Sequence, residues 1–202
     1  MNPVALFDFD DTLIRYKERL LEDLTKDLVQ QFNLCEDEVD KDWILNAPPH
    51  IYERIKHIRN QDGWWESLDE FEEGFDLLLA CKNLGYDIHI LTFGPSSSDN
   101  AWSEKKRWFE KHIRPVVRGA RLNIVQDKSR FHGNVLVDDS PRYMLPWLER
   151  WSNGLGIMPL HHYNAPFQHE RLVHYNVRNF DEVINALSIA YNLKPNQPLR
   201  LT

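Results

Sequence analysis

Short apolar runs and longer stretches of helical spacing alternate along this chain. Val4-Ala5-Leu6-Phe7 is a continuous apolar run of β-compatible residues and predicts a buried strand. Similar runs predict strands over residues 87–91, 122–125, 135–137 and 154–159. Between them the spacing changes. Leu20, Leu21, Leu24, Leu28 and Phe32 predict a helix over about residues 17–33. Residues 36–45 and 50–60 read as two more, separated by Pro48-Pro49. A helix over 71–84 has Phe75, Leu78 and Leu79 on its inner face and stops at Gly85. Another, over 102–113, has Trp102, Phe109 and Ile113 facing inward. Phe180, Val183, Ile184, Leu187 and Tyr191 mark the last helix.

Strands alternating with helices predict an α/β fold with a parallel sheet. Residues 15–70 interrupt that alternation. The block is too long for a turn and has no strand pattern, so it reads as a helical cap inserted into the core. The expected organisation is a catalytic core from residues 1–14 and 71–202, with a cap from 15–70. Within the cap, Trp43, Trp64 and Trp65 are candidates for an apolar wall against a flat substrate group.

Charge narrows the partners. The chain has 202 residues, with 31 Asp and Glu against 24 Lys and Arg, and a net charge of −7. That balance disfavours polymeric nucleic acid and leaves small anions that are neutralised locally. No segment is long and apolar enough to span a bilayer. Asp8 and Asp10 interrupt the N-terminal apolar run, so no signal peptide is expected. Cys35 and Cys81 have no metal-ligand spacing and read as reduced residues of a cytoplasmic protein. His161-His162 lacks a supporting Cys/His cluster and reads as a strand end or loop near the site mouth. The oligomeric state stays open, a homodimer included.

The chemistry lies at the strand ends. The first strand runs into Asp8-Phe9-Asp10-Asp11-Thr12-Leu13, placing three carboxylates at the edge where open α/β sheets bind ligands. Acids packed this closely need either full solvation or a cation, and a hard divalent metal is the natural partner. Val135-Leu136-Val137-Asp138-Asp139 repeats the design, and Ser140-Pro141 then offers a helix N-cap and first-turn proline. Ile88-His89-Ile90-Leu91-Thr92 ends in a hydroxyl and continues into Phe93-Gly94-Pro95-Ser96, a loop suited to presenting N–H groups to an anion. Lys128, ten positions before Asp138, supplies positive charge.

In this order, Asp8-x-Asp10-x-Thr12, Thr92, Lys128 and Asp138-Asp139 resemble the four motifs of the haloacid dehalogenase superfamily. The resemblance implies a Rossmann-like core with an inserted cap and a Mg²⁺-dependent phosphatase. It makes Asp8 the nucleophile and Asp10 the acid/base, and it assigns Thr92, Phe93 and Lys128 to the phosphate. Mg²⁺ would be held by Asp8, the backbone carbonyl of Asp10, and Asp138 or Asp139. Within the superfamily, Trp64-Trp65-Glu66-Ser67-Leu68, the helix from Trp102 and Asp127-Lys128-Ser129 are similar in layout to the 5′(3′)-deoxyribonucleotidases. Those enzymes carry Ser where this chain has Phe93, and Gly-Val where it has Asp11-Thr12. Ser96 to Ser98 follow closely in sequence as candidates to replace the missing hydroxyl. The implied substrate is a small phosphorylated metabolite, a nucleoside monophosphate first. The alternatives are a phosphosugar phosphatase, a polynucleotide 3′-phosphatase or a non-catalytic binding module.

Overall fold

The computed structural model describes residues 2–24, 46–95, 98, 100–194 and 197–201. Trp43, Cys35, the far half of the first expected helix and the helix expected over 36–45 lie outside the described residues.

Six parallel strands form one sheet: β1 (Val4–Phe7), β2 (Asp87–Thr92), β3 (Arg121–Ile124), β4 (Val135–Val137), β5 (Leu155–Pro159) and β6 (Leu172–Tyr175). Their order is β3-β2-β1-β4-β5-β6. β1 therefore lies between β2 and β4, with Phe7 opposite both Ile90 and Val137. This order reverses direction at β1, and the crevice beyond the carboxyl ends of β1 and β4 is where such sheets bind ligands. The β6 strand was not read from the sequence. It is a four-residue edge strand whose alternate positions are only half-buried, so it lacks the continuous apolar run of its neighbours.

Period-two alternation divides the core between the two faces of the sheet. Ala5, Phe7, Ile88, Ile90, Val135, Val137 and Ile157 face one way. They meet α3 (Glu72–Leu84) and α6 (Phe180–Asn192) through Leu77, Leu78, Cys81, Val183 and Leu187. Leu6, Leu91, Leu136 and Met158 face the other way, against Met144, Trp147 and Leu148 of α5 (Pro141–Arg150). Between β1 and α3 the described residues form α1 (Tyr16–Asp23) and α2 (Pro49–Arg59). Their buried residues, Tyr16, Leu20, Ile51 and Ile55, join the same core cluster as the strands. Among the described residues no helix is long and apolar enough to cross a membrane.

Two helical faces differ from the sequence reading. In α3 the inner positions are Gly74, Leu77, Leu78 and Cys81, while Leu79 is exposed. In α4 (Ala101–Trp108) Trp102 faces solvent at 52% exposure, and the buried positions are Ala101, Glu104, Lys105 and Trp108. Those four have i, i+3, i+4, i+7 spacing, so the helix is regular. Its buried stripe contains two charged residues, which pulled the apolar phase onto Trp102. Phe109 and Ile113 are buried as expected, in a wider turn that follows directly.

Candidate active site

Beyond Phe7 the chain keeps its alternation for three residues. Asp8 and Asp10 point to the carboxyl edge, while Phe9 turns into the core and meets Trp108 edge-on at 5.1 Å. The strand then closes into a tight loop through Leu13 N–H and Ile14 N–H, which donate to the Phe9 carbonyl at 2.9 and 3.1 Å. Asp11 takes a left-handed backbone with φ of 59°, a region that tolerates Asp better than most residues. Its Oδ1 accepts from Lys17 N–H at 2.8 Å, near the start of α1.

The ends of β1, β2 and β4 converge here, joined by Lys128 from the turn after β3. Asp8 N–H donates to Val137 O at 2.8 Å, which fixes the end of β1 beside the end of β4. Lys128 spans the two strands, with Nζ 2.6 Å from Asp8 Oδ1 and 2.6 Å from Asp138 Oδ2. Asp138 Oδ1 also accepts from Ser140 N–H at 2.9 Å. Asp139 accepts from the Tyr163 hydroxyl at 2.6 Å, and its N–H donates to the buried Thr12 hydroxyl at 3.2 Å. Ser140 takes the N-cap position of α5, and Pro141 follows, but the Ser140 hydroxyl makes no capping bond.

The sequence-predicted residues Asp8, Asp10, Thr92, Lys128, Asp138 and Asp139 are thus gathered at one edge, with Thr92 fully buried at the end of β2. Phe93 enters through its backbone. Its carbonyl accepts from Lys105 Nζ at 3.2 Å, while its ring is 38% exposed. Trp64 and Trp65 are 3% and 2% exposed and meet edge-on at 4.9 Å. Trp65 stacks on Tyr16 at 5.4 Å and offers its face to Lys105 Nζ at 4.3 Å. Trp65 therefore borders the site through Lys105, and Trp64 stands behind it. Burial pushes the Tyr16 phenol up to about 12. His161 is in the loop after β5, where its Nε2 donates to the Asp11 carbonyl at 3.1 Å.

Three site residues escaped the sequence reading. Lys105 is completely buried, with Nζ 2.7 Å from Asp10 Oδ2 and 3.1 Å from Thr92 Oγ1. It stood in the run Lys105-Lys106-Arg107, which looks like a solvated face. The signal was its phase, four residues after Ala101 and three before Trp108. Lys17 is also buried, 3.7 Å from Asp11 Oδ2 and 3.8 Å from Asp139 Oδ2. Tyr163 lies in a loop with no periodicity to mark it. Burial first, and then Asp139 and Asp11, push its phenol far above its ordinary value and keep it a hydrogen-bond donor.

Asp8, Asp138 and Asp139 each offer a ligand oxygen within 4.8 Å of the others, a hard all-oxygen donor set. The carboxylates Asp8, Asp10, Asp11, Asp138 and Asp139 face the ammonium groups of Lys17, Lys105 and Lys128. Together these eight side chains carry a net charge of −2 when all are ionised, which one divalent cation balances. The residues fit a divalent metal. The arrangement can hold a metal and a tetrahedral anion beside a carboxylate.

The chain matches, over residues 2–188, the family described as 5′ nucleotidase, deoxy (pyrimidine), cytosolic type C protein. No curated protein matches it in sequence. Among solved structures it is similar to a haloacid dehalogenase-like hydrolase from Burkholderia xenovorans LB400. The TM-score is 0.52 and the identity 14%, covering 95% of this chain and 98% of that one. It is also similar to a dehalogenase, with a TM-score of 0.50 and 12% identity over 90% and 95% of the two chains. At these identities the likeness speaks for a shared haloacid dehalogenase-like fold.

Proposed function

The chain belongs to the 5′ nucleotidase, deoxy (pyrimidine), cytosolic type C family, and from that membership we propose that it hydrolyses a nucleoside monophosphate through an aspartyl-phosphate. The observation that carries the reading is the meeting of Asp8, Asp10, Thr92, Lys105 and Lys128 at one buried edge. A carboxylate nucleophile, a second carboxylate and phosphate-binding cations are what stepwise phosphoryl transfer needs.

In the first step an Asp8 oxygen attacks phosphorus, the ester P–O bond breaks, and Asp10 gives its proton to the leaving alkoxide. In the second step Asp10 takes a proton from water, the resulting hydroxide attacks phosphorus, and phosphate leaves Asp8. Asp10 Oδ2 is held by Lys105, and its buried Oδ1 has no hydrogen-bond partner, leaving that oxygen for the leaving group and water. Thr92 Oγ1, Lys105 and Lys128 bind the phosphoryl oxygens.

Mg²⁺ is the proposed metal, held by Asp8, the Asp10 carbonyl and Asp139. Asp139 is preferred over Asp138 because both Asp138 oxygens accept short bonds, Oδ2 from Lys128 at 2.6 Å and Oδ1 from Ser140 N–H at 2.9 Å, whereas Asp139 Oδ1 faces the Thr12 hydroxyl at 3.5 Å. When bound, the metal offsets repulsion between phosphate and carboxylates. Residues 15–70 act as the cap, with Trp65 and Tyr16 shaping the wall beside Lys105.

The test is phosphate release from deoxy- and ribonucleoside 5′- and 3′-monophosphates, phosphosugars and a 3′-phosphorylated oligonucleotide. Each is assayed with Mg²⁺ and with EDTA, beside Asp8→Asn. Mg²⁺-dependent turnover of mononucleotides that Asp8→Asn abolishes is the expected result. Preference for phosphosugars would remove the nucleotide and leave the mechanism, and an active Asp8→Asn would remove the mechanism.

A further inference from the structure

We propose that Tyr163 is a positioning residue for the metal site, its phenol fixing the Asp139 carboxylate while Lys17 and His161 fix the phenol. This rests on the reading of Asp139 as a metal ligand. Tyr163 lies 24 positions beyond Asp139, outside all four motifs.

The contacts form a clamp. The Tyr163 hydroxyl donates to Asp139 Oδ2 at 2.6 Å. The Lys17 ammonium sits 3.3 Å from the centroid of the Tyr163 ring, a buried cation–π contact, and 3.8 Å from the same Oδ2. The His161 ring stacks on Tyr163 at 5.1 Å with an interplanar angle of 10°. Asn164 ties this loop to the ligand's own backbone, because its amide donates to the carbonyls of Asp139 and Pro159 at 2.9 Å each. Asn164 Oδ1 in turn accepts from His161 N–H at 2.9 Å.

The chemistry of the donor explains why a tyrosine is here. On Asp138 the Lys128 ammonium takes one oxygen and Ser140 N–H the other, so a metal would have to compete for that carboxylate. A phenol orients a carboxylate without bringing such a charge. The two adjacent aspartates are thereby given different close donors: Asp138 an ammonium at 2.6 Å, Asp139 a neutral phenol at 2.6 Å with the Lys17 ammonium farther off at 3.8 Å. Partners of this kind hold a ligand's rotamer, and losing one typically costs about 10–100-fold in metal affinity.

Tyr163→Phe keeps the ring on Lys17 and His161 and removes only the hydroxyl. The experiment is calorimetric titration of wild type and Tyr163→Phe with Mg²⁺ alone, with melting in EDTA and kcat measured at saturating Mg²⁺. The expected result is a Mg²⁺ Kd raised about 10–100-fold, a Tm in EDTA close to wild type and a kcat that recovers at saturating metal. A Kd within about twofold of wild type would overturn the proposal. So would a Tm in EDTA lowered by more than about 10 °C, because the residue would then be structural. If wild type itself binds no Mg²⁺, the metal reading fails and the clamp with it. That outcome is distinct from a wild type that binds and a variant that binds equally well.

Discussion

The Lys105 ammonium stands 2.7 Å from Asp10 Oδ2 with none of its side chain exposed, which joins α4 to the loop after β1 across 95 positions of sequence. The same Nζ lies 3.1 Å from Thr92 Oγ1 and 3.2 Å from Phe93 O, so it ties the first motif to the second. In the proposed reaction a buried cation so placed would meet a phosphoryl group on arrival and strengthen its hold as negative charge concentrates there. Lys105→Met is expected to lower kcat/KM by about 10²–10³, the range for losing one pre-set donor to developing charge. Lys105→Arg should not restore it, since a planar fork does not reproduce an ammonium point charge. Steady-state kinetics on the best mononucleotide checks this, and a loss below about tenfold would remove Lys105 from the phosphate site.

Asp10→Asn removes the proposed proton carrier and leaves the Lys105 contact a neutral acceptor. The expected loss in kcat is about 10²–10⁴ with a nucleotide, whose alkoxide leaving group needs a proton. An aryl phosphate, with a stable leaving group, should lose much less in the first step. The ratio of the two losses is the measurement, and equal losses would count against Asp10 as the acid.

Why Asp10 was legible and Lys105 was not is a matter of local signal. Asp8, Asp10, Asp138 and Asp139 follow apolar runs, so strand and carboxylate mark each other within a few residues. Lys128 was found only through its order among those motifs. The helical phase of Lys105 marks it as inward-facing without naming the neighbours it will meet, and Lys17 and Tyr163 carry no local signal. Their burial is set by contacts with residues 95, 122 and 24 positions away. The same physics hid the inner face of α4, where Glu104 and Lys105 occupy positions that an apolar count assigns to solvent. It also hid β6, whose pairing with β5 rather than its own composition makes it a strand.

Gly74 in α3 lies against the backbone of the first motif. A methyl group there would stand 1.7 Å from the Thr12 carbonyl oxygen and 2.8 Å from its carbon. Both atoms are backbone in a loop closed by its own hydrogen bonds, and Phe71 N–H also donates to Leu13 O at 2.9 Å. The helix must back away or the loop must move. Gly74→Ala is expected to cost at least about 1–3 kcal/mol, the usual range for overpacking. Thermal denaturation should show a Tm lower by about 2–4 °C for each kcal/mol in a chain of this size. Because Thr12 Oγ1 receives the Asp139 N–H, turnover should fall as well. A variant as stable as wild type would mean the helix can shift freely.

Glu104 holds the segment after α2 to the core. Its carboxylate is 2% exposed and accepts from Gly63 N–H at 2.9 Å and from Trp65 N–H at 3.0 Å. Glu104→Ala leaves two backbone donors without their acceptor, at about 1–3 kcal/mol each, so a loss of about 2–6 kcal/mol is expected by denaturant unfolding. Glu104→Gln keeps one acceptor oxygen but turns an amide toward the other N–H, and should fall between the two. The consequence for activity separates two roles for Trp65, whose ring faces Lys105. If the segment forms the substrate wall, the Gln variant should raise KM for a mononucleotide while kcat stays near wild type. If Trp65 serves mainly to seat Lys105, kcat should fall along with kcat/KM, because the phosphate cation itself is displaced.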